Sequence, residues 1–100
     1  MTASIKSVVN GDTTTLSIKG DFRFDLYSEF RAALESLDPK TRLVLDLGEV
    51  SSMDSSAMGM LLNMKQTLGS ADREIRLIRV PDNILKLLLM ARFDRKFEIL

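Results

Sequence analysis

Residues 42–66 read RLVLDLGEVSSMDSSAMGMLLNMKQ. Leu43 to Leu47 is short and nearly all apolar, as expected of a strand covered on at least one side and flanked by others. Met58, Leu61, Leu62, Lys65 and Leu68 recur at helical spacing, so a helix is expected to end near Gly69. Between the two lies SSMDSSAMGM, residues 51–60, with four serines and one aspartate beside methionines and small residues. A buried strand running directly into a helix is half of a parallel βα unit.

The flanking sequence continues this order. Ala3 to Val9 is apolar and β-branched in flavour, and Asn10-Gly11-Asp12 follows. Asn-Gly tolerates positive φ and signals a hairpin. From Thr14 to Lys19 the chain alternates, with Leu16 and Ile18 on one face and Thr15, Ser17 and Lys19 on the other, which is a half-buried strand. Gly20-Asp21-Phe22-Arg23 is expected to break it. Leu26, Tyr27, Phe30, Ala33, Leu34 and Leu37 then form one apolar helical stripe, with Asp25 as a candidate cap and Pro39 as the stop. Glu74 to Val80 predicts a fourth strand, Pro81-Asp82 opens a third helix, and Lys96 to Leu100 is a candidate last strand. The predicted fold is α/β: a mixed β-sheet of four or five strands, an N-terminal antiparallel hairpin followed by βα units, with helices packed against it. Residues 1–100 form a single domain.

The third helix, NILKLLLMARF, is apolar nearly all round. One face packs on the sheet, so some of Leu85, Leu87, Leu88, Leu89 and Met90 are left for solvent, for covering loops or for a partner.

Composition narrows the function. Lys+Arg and Asp+Glu both number 14, so the net charge is zero and no general attraction to nucleic acid or anionic lipid is expected. The absence of cysteine excludes disulfides and thiolate metal sites. The N-terminus lacks a signal-peptide core, and no apolar run reaches membrane-spanning length, so a cytoplasmic location without membrane insertion is expected. Histidine is also absent, which removes the usual general base, the commonest metal ligand and the Ser-His-Asp triad. A serine nucleophile would need a lysine or an amine as base. The nearest downstream lysine, Lys65, lies beyond the helix start, so the expectation is no enzyme and no cofactor. Asp46 with Asp54 is too small a carboxylate set for a dedicated metal cage.

The strand-to-helix junction has its own chemistry. The first turn of a helix carries unpaired N–H groups and a partial positive charge. Asp54 or Ser55 is suited to cap it. A phosphate on Ser55 or Ser56 would add about 1.5 to 2 negative charges there. Favourable dipole and amide contacts are worth roughly 0.3–1 kcal/mol each. The fold would accept the group with little internal damage, whereas a docked partner would meet a bulky dianion beside Asp54.

This stretch resembles the signature of the STAS family, the anti-sigma factor antagonist domains. There an apolar strand ends in an Asp-Ser-Ser/Thr-Gly-hydrophobic-Gly motif that opens a helix. The resemblance runs end to end, through the opening hairpin, IKGDFRFD, EIRLIRV and VPDNILKLLLMARFDRKFEI. It implies a non-enzymatic, partner-switching protein whose phosphoacceptor is Ser56. Asp54 matches the motif aspartate, Ser55 the neighbouring hydroxyl and Gly59 the second glycine, while Ala57 stands where the first glycine is usual. The resemblance further implies a serine kinase, often itself the anti-sigma factor, and a PP2C-type phosphatase as partners. Gly20 to Arg23 match a family loop near the phosphoacceptor, so Asp21 and Arg23 are possible partner contacts or a solvated turn. Met58 and Leu88 are further possible contacts. Some family members bind without phosphorylation, including subunits of lipid-transport complexes and the tails of anion transporters. A constitutive lipid-transport (ABC-type) subunit is therefore the alternative reading. Oligomeric state is left open.

Overall fold

A computed structural model of the chain describes residues 3–68 and 74–100. These residues form a sheet of five strands, in spatial order identical to chain order. The strands are β1 (Ser4–Asn10), β2 (Thr13–Phe22), β3 (Arg42–Met53), β4 (Ile75–Ile78) and β5 (Glu98–Ile99). Strands β1 and β2 pair antiparallel, and every later neighbour pairs in parallel. The helices are α1 (Tyr27–Glu35), α2 (Ser55–Leu68) and α3 (Asp82–Met90), with short 3₁₀ turns at Phe24–Leu26 and Phe93–Arg95.

Parallel strands laid down in sequence order, joined by right-handed crossovers, put every helix on the same face of the sheet. Burial shows the result. Leu16, Ile18, Leu43, Leu45, Leu47, Ile75 and Leu77 are buried, while Thr15, Ser17, Val44, Asp46, Arg76 and Ile78 between them are only half-buried. Against the covered face pack Leu26 and Phe30 from the α1 region, Ala57, Leu61 and Met64 from α2, and Ile84 and Leu88 from α3. Phe22 and Phe30 meet with tilted rings 5.6 Å apart. Each fully buried side chain of this size stabilises the fold by roughly 1.5–3 kcal/mol.

The hairpin turns at Gly11-Asp12, with Asn10 paired to Thr13 and Gly11 at φ 63°. Positive φ at the first loop position matches the twist of the flanking strands. The turn is tied to the start of β3. Arg42 donates its backbone N–H to the Asp12 carbonyl at 2.7 Å, and the buried Thr14 and Thr41 hydroxyls lie 2.8 Å apart.

Several expectations need correction. Gly20 does not end β2, because its φ of 90° accommodates a register shift and the strand continues to Phe22, paired with Met53. The third strand extends beyond Leu47 to Met53, with Val50 and Met53 buried. Asp25 caps nothing. It lies inside the 3₁₀ turn that precedes α1, and no side chain caps either element. The fourth strand is shorter than Glu74 to Val80, because Arg79 turns out of it with φ 53°. The last strand is Glu98–Ile99 alone. The expected helix end at Gly69 lies outside the described residues. Leu88, a possible partner contact by the resemblance, is not on the surface. Ile84 and Leu88, four apart, face the sheet and are fully buried, and the exposed apolar residues of α3 are Leu87, Leu89 and Met90.

Candidate functional site

Strand β3 is twelve residues long, and its neighbours support it unequally. The β2 pairing runs through to Met53, but the β4 pairing stops at Asp46. The last turns of β3 therefore project past β4 and deliver residues 54–56 to the rim of the sheet, where loops carry function.

Asp54 sits just before α2. Its Oδ1 accepts the Ala57 N–H at 2.9 Å, and its carbonyl accepts the Met58 N–H at 3.2 Å. Asp54 is thus the cap, and Ser55 is the first helical residue. Capping by an aspartate stabilises a helix by about 1 kcal/mol. The N–H groups of Ser55 and Ser56 belong to the first turn, where an α-helix supplies no internal acceptor.

Ser55 and Ser56 are both exposed, and Ala57 is fully buried. The methyl of Ala57 points into the core, so the residue that departs from the family pattern does not lie on the outer surface. Met58 is half-buried against the core. Gly59 is exposed, and a Cβ built there would meet nothing within 4 Å. Among the described residues nothing requires glycine at this position, although glycine in a helix costs about 1 kcal/mol relative to alanine.

Ser56 and Gly59 lie one turn apart and line a shallow groove of about 300 Å³ with Phe24, Tyr27, Met60 and Asn63. The groove continues into a second cleft between α1 and α2, which shares Tyr27, Met60 and Asn63. Phe24 is 65 % exposed and stacks on Tyr27, with ring centroids 5.6 Å apart and planes 11° from parallel. Sequence reading missed Phe24. It falls outside the helical stripe that begins at Leu26, because the 3₁₀ turn rotates it away from the core. The available signal was an aromatic immediately before that stripe with no place in it.

The loop residues behave differently from one another. Asp21 accepts a hydrogen bond from the Ser52 hydroxyl at 2.7 Å, which fastens the end of β2 to the end of β3. Arg23 is exposed at the entry to the 3₁₀ turn. Of the family-loop pair, only Arg23 presents a charged group with no hydrogen bond or ion pair among the described residues.

On the other side of β3, Arg79 reaches across to Asp46. Its Nη2 lies 2.9 Å from Oδ2 and its Nε 3.0 Å from Oδ1, and the Gly48 N–H adds a bond to Oδ1 at 2.9 Å. A Cβ on Gly48 would come within 2.9 Å of the guanidinium, so glycine leaves room for Arg79 to lie flat. Partial burial pushes the Asp46 carboxyl up, but the Arg79 and Gly48 hydrogen bonds and the Arg79 charge outweigh it and hold the group below its ordinary value. Asp46 is thereby a bracing residue at the root of the projecting strand. Among the described residues, no group of three or more Asp, Glu, His or Cys is arranged to hold a metal.

The site is thus built on a two-layer mixed sheet whose longest strand delivers a capped Asp-Ser-Ser helix start to its rim. The family model described as Mlab, STAS domain, matches residues 6–100. A STAS-domain containing protein of Pseudomonas aeruginosa (strain UCBPP-PA14) is 34 % identical over 92 residues, covering 90 % of each chain. Among solved structures, an anti-sigma factor antagonist from Mycobacterium paratuberculosis superposes with a TM-score of 0.83 at 16 % identity, covering 98 % of this chain and 85 % of that one. The anti-sigma factor antagonist SpoIIAA in its unphosphorylated form gives 0.75 at 16 % identity, covering 97 % and 87 %. Its phosphorylated form, described as a Bacillus cell fate determinant, gives 0.74 at 15 %, covering 97 % and 91 %. The chain belongs to the STAS domain family, and its fold is that of the anti-sigma factor antagonists.

Proposed function

We propose that this chain is a cytoplasmic, non-enzymatic partner-switching regulator controlled by reversible phosphorylation of Ser56. The carrying observation is the exposure of Ser56 on the first turn of α2, in a groove with Phe24, Tyr27 and Gly59. The unmodified groove offers an apolar partner side chain a stacked aromatic wall and an approach over Gly59. Aromatic residues in such positions carry much of the energy of protein interfaces.

Phosphorylation leaves the internal packing alone, because Ser56 touches solvent and Ala57 and Met60 hold the helix to the core. The phosphate sits beside first-turn N–H groups and the positive end of the helix. A partner seated in the groove then meets a dianion next to Asp54, and rejection follows from charge and bulk. A serine kinase that doubles as the anti-sigma factor, opposed by a PP2C-type phosphatase, fits this logic. SpoIIAA is known in both unphosphorylated and phosphorylated forms on the same fold, which supports the reading.

Co-expression with the cognate kinase, followed by intact mass and site mapping, tests it. One phosphate on Ser56 is expected, with Ser56→Asp weakening partner binding and Ser56→Ala preserving it. An active kinase that leaves Ser56 unmodified overturns the proposal.

The exposed Leu87, Leu89 and Met90 of α3 support a second reading, a constitutive subunit of a lipid-transport complex docked through α3. A stable complex indifferent to both Ser56 substitutions but broken by Met90→Asp selects it.

A further inference from the structure

The two edges of the sheet are built differently. At one edge β5 is two residues long, and edges this short resist pairing with another chain. At the other, β1 runs seven residues in unbroken register with β2, without proline or bulge. It exposes Val8 and Val9, which are 47 % and 70 % accessible. Such an edge is a template for another strand.

The free hydrogen-bonding groups can be located. The Ile5 N–H points away from β2, because it donates to the Glu29 Oε2 of α1 at 2.8 Å. In an antiparallel pair the inward and outward residues alternate. Ser7 and Val9 therefore also turn their N–H and C=O outward, and both are exposed. Beside them lies a cleft of about 350 Å³ whose walls include Val9, Leu37 and Thr41.

We propose that this edge is a self-association surface, occupied by β1 of a second copy of the chain in antiparallel, two-fold symmetric pairing. The register follows from Glu29. Centring the two-fold on Ser7 would pair Ile5 with Val9 and require the Ile5 N–H that Glu29 already holds. Centring it on Val8 uses only Ser7 and Val9. Ser7 of each copy then faces Val9 of the other as a hydrogen-bonded pair. Val8 faces Val8 as the closer, non-hydrogen-bonded pair on the open face of the sheet. Charge agrees, since Lys6 falls opposite Asn10 of the second copy and diagonal to its Asp12. No like charges meet, and Val9 of each copy reaches the cleft of the other. An isologous contact of this kind closes after two copies.

The contact lies toward the Asp12 turn, which is bonded to the beginning of β3, whereas Ser56 follows its end. Both Ser56 grooves stay open in the pair. The dimer is therefore bivalent and independent of the Ser56 reading.

The lack of cysteine makes the test direct. Val8→Cys puts one thiol at the two-fold, where facing Cβ atoms are about 4.5–5.5 Å apart, close enough for a disulfide after small adjustment. Air oxidation is expected to link Val8→Cys into a dimer well ahead of Lys86→Cys on exposed α3. In sedimentation equilibrium the wild-type mass should rise from 11.2 kDa toward twice that value with concentration. Val8→Lys sets like charges face to face on an exposed side chain and should hold the chain at monomer mass, with unchanged circular dichroism. Ser56→Asp should dimerise like wild type. A wild-type mass fixed at 11.2 kDa at the highest attainable concentration overturns the proposal. Equal linking of the two cysteine variants, or a Val8→Lys variant that still dimerises, does so as well.

Discussion

Replacing Gly59 with alanine should raise stability and lower partner affinity together. Gly59 is an exposed interior residue of α2, its backbone is free of positive φ, and an added Cβ meets nothing within 4 Å. The methyl therefore adds no clash and almost no buried area. What changes is the entropy the unfolded chain loses on folding, worth about 0.5–1 kcal/mol in favour of alanine. For a domain of this size 1 kcal/mol moves Tm by roughly 4–8 °C, so a rise of about 2–8 °C is expected. Urea unfolding should give a higher midpoint at unchanged slope, since the surface exposed on unfolding is the same. Binding should respond in the opposite direction. A methyl inserted into a well-packed contact costs about 1–3 kcal/mol, or roughly 5- to 150-fold in Kd. Calorimetric titration with the unmodified protein's partner measures it. A fall in Tm would show that Gly59 serves the fold. A rise in Tm with unchanged affinity would show that the partner does not approach over Gly59, and the groove assignment would fail.

Other substitutions probe the same rim. Ala57→Gly removes a fully buried methyl and adds backbone entropy to the unfolded state, so it should cost about 1–2 kcal/mol in urea unfolding, opposite in sign to Gly59→Ala. Phe24→Ala should leave stability within about 0.5 kcal/mol, because Phe24 is largely exposed, and weaken partner binding by about 10- to 100-fold in titration. Asp54→Ala removes the cap bond to Ala57 and should lower stability by about 1 kcal/mol in thermal unfolding. Asp46 titrates below its ordinary value of 3.8, so the stability it contributes is present above that value and disappears as pH falls through its depressed folded-state pKa. In Arg79→Ala the Arg79 hydrogen bonds and charge are gone while burial and the Gly48 N–H bond remain, and carboxyl NMR titration should find the Asp46 pKa raised relative to wild type.

Much of the architecture was legible because burial is written in periodicity. Leu16 and Ile18 alternate with polar residues, Leu43 to Leu47 is continuous, and Leu26 to Leu37 steps at three and four. What escaped depended on backbone geometry or on contacts distant in sequence. Gly20 reads as a strand breaker, and only the pairing of Phe22 with Met53 shows that its positive φ serves a register shift inside the strand. Gly48 to Ser52 has too little alternation to read as a strand, although Val50 is buried. In α3 five apolar residues compete for one buried stripe, and composition alone does not select Leu88 over Leu87. Asp54 and Ser55 are both good caps, so the choice between them rests on the bond to Ala57. Phe24 was hidden by a single 3₁₀ turn.

The projection of β3 past β4 has a consequence for motion. From Leu43 to Asp46 the strand has ladders on both sides, but beyond Asp46 its backbone ladder among the described residues is with β2 alone, with a 3.5 Å contact between the Asn83 side chain and the Ser51 carbonyl on the other side. Successive amides along a strand point to opposite sides. Deuterium uptake along residues 49–53 should therefore be uneven, with slow sites bonded to β2 and faster sites facing α3, in an order set by the register shift in the β2 pairing between Val50 and Ser52. The segment that carries Ser56 is fixed along one side and free to breathe along the other. Peptide-level exchange averages would hide this unevenness, and residue-resolved measurements would reveal it.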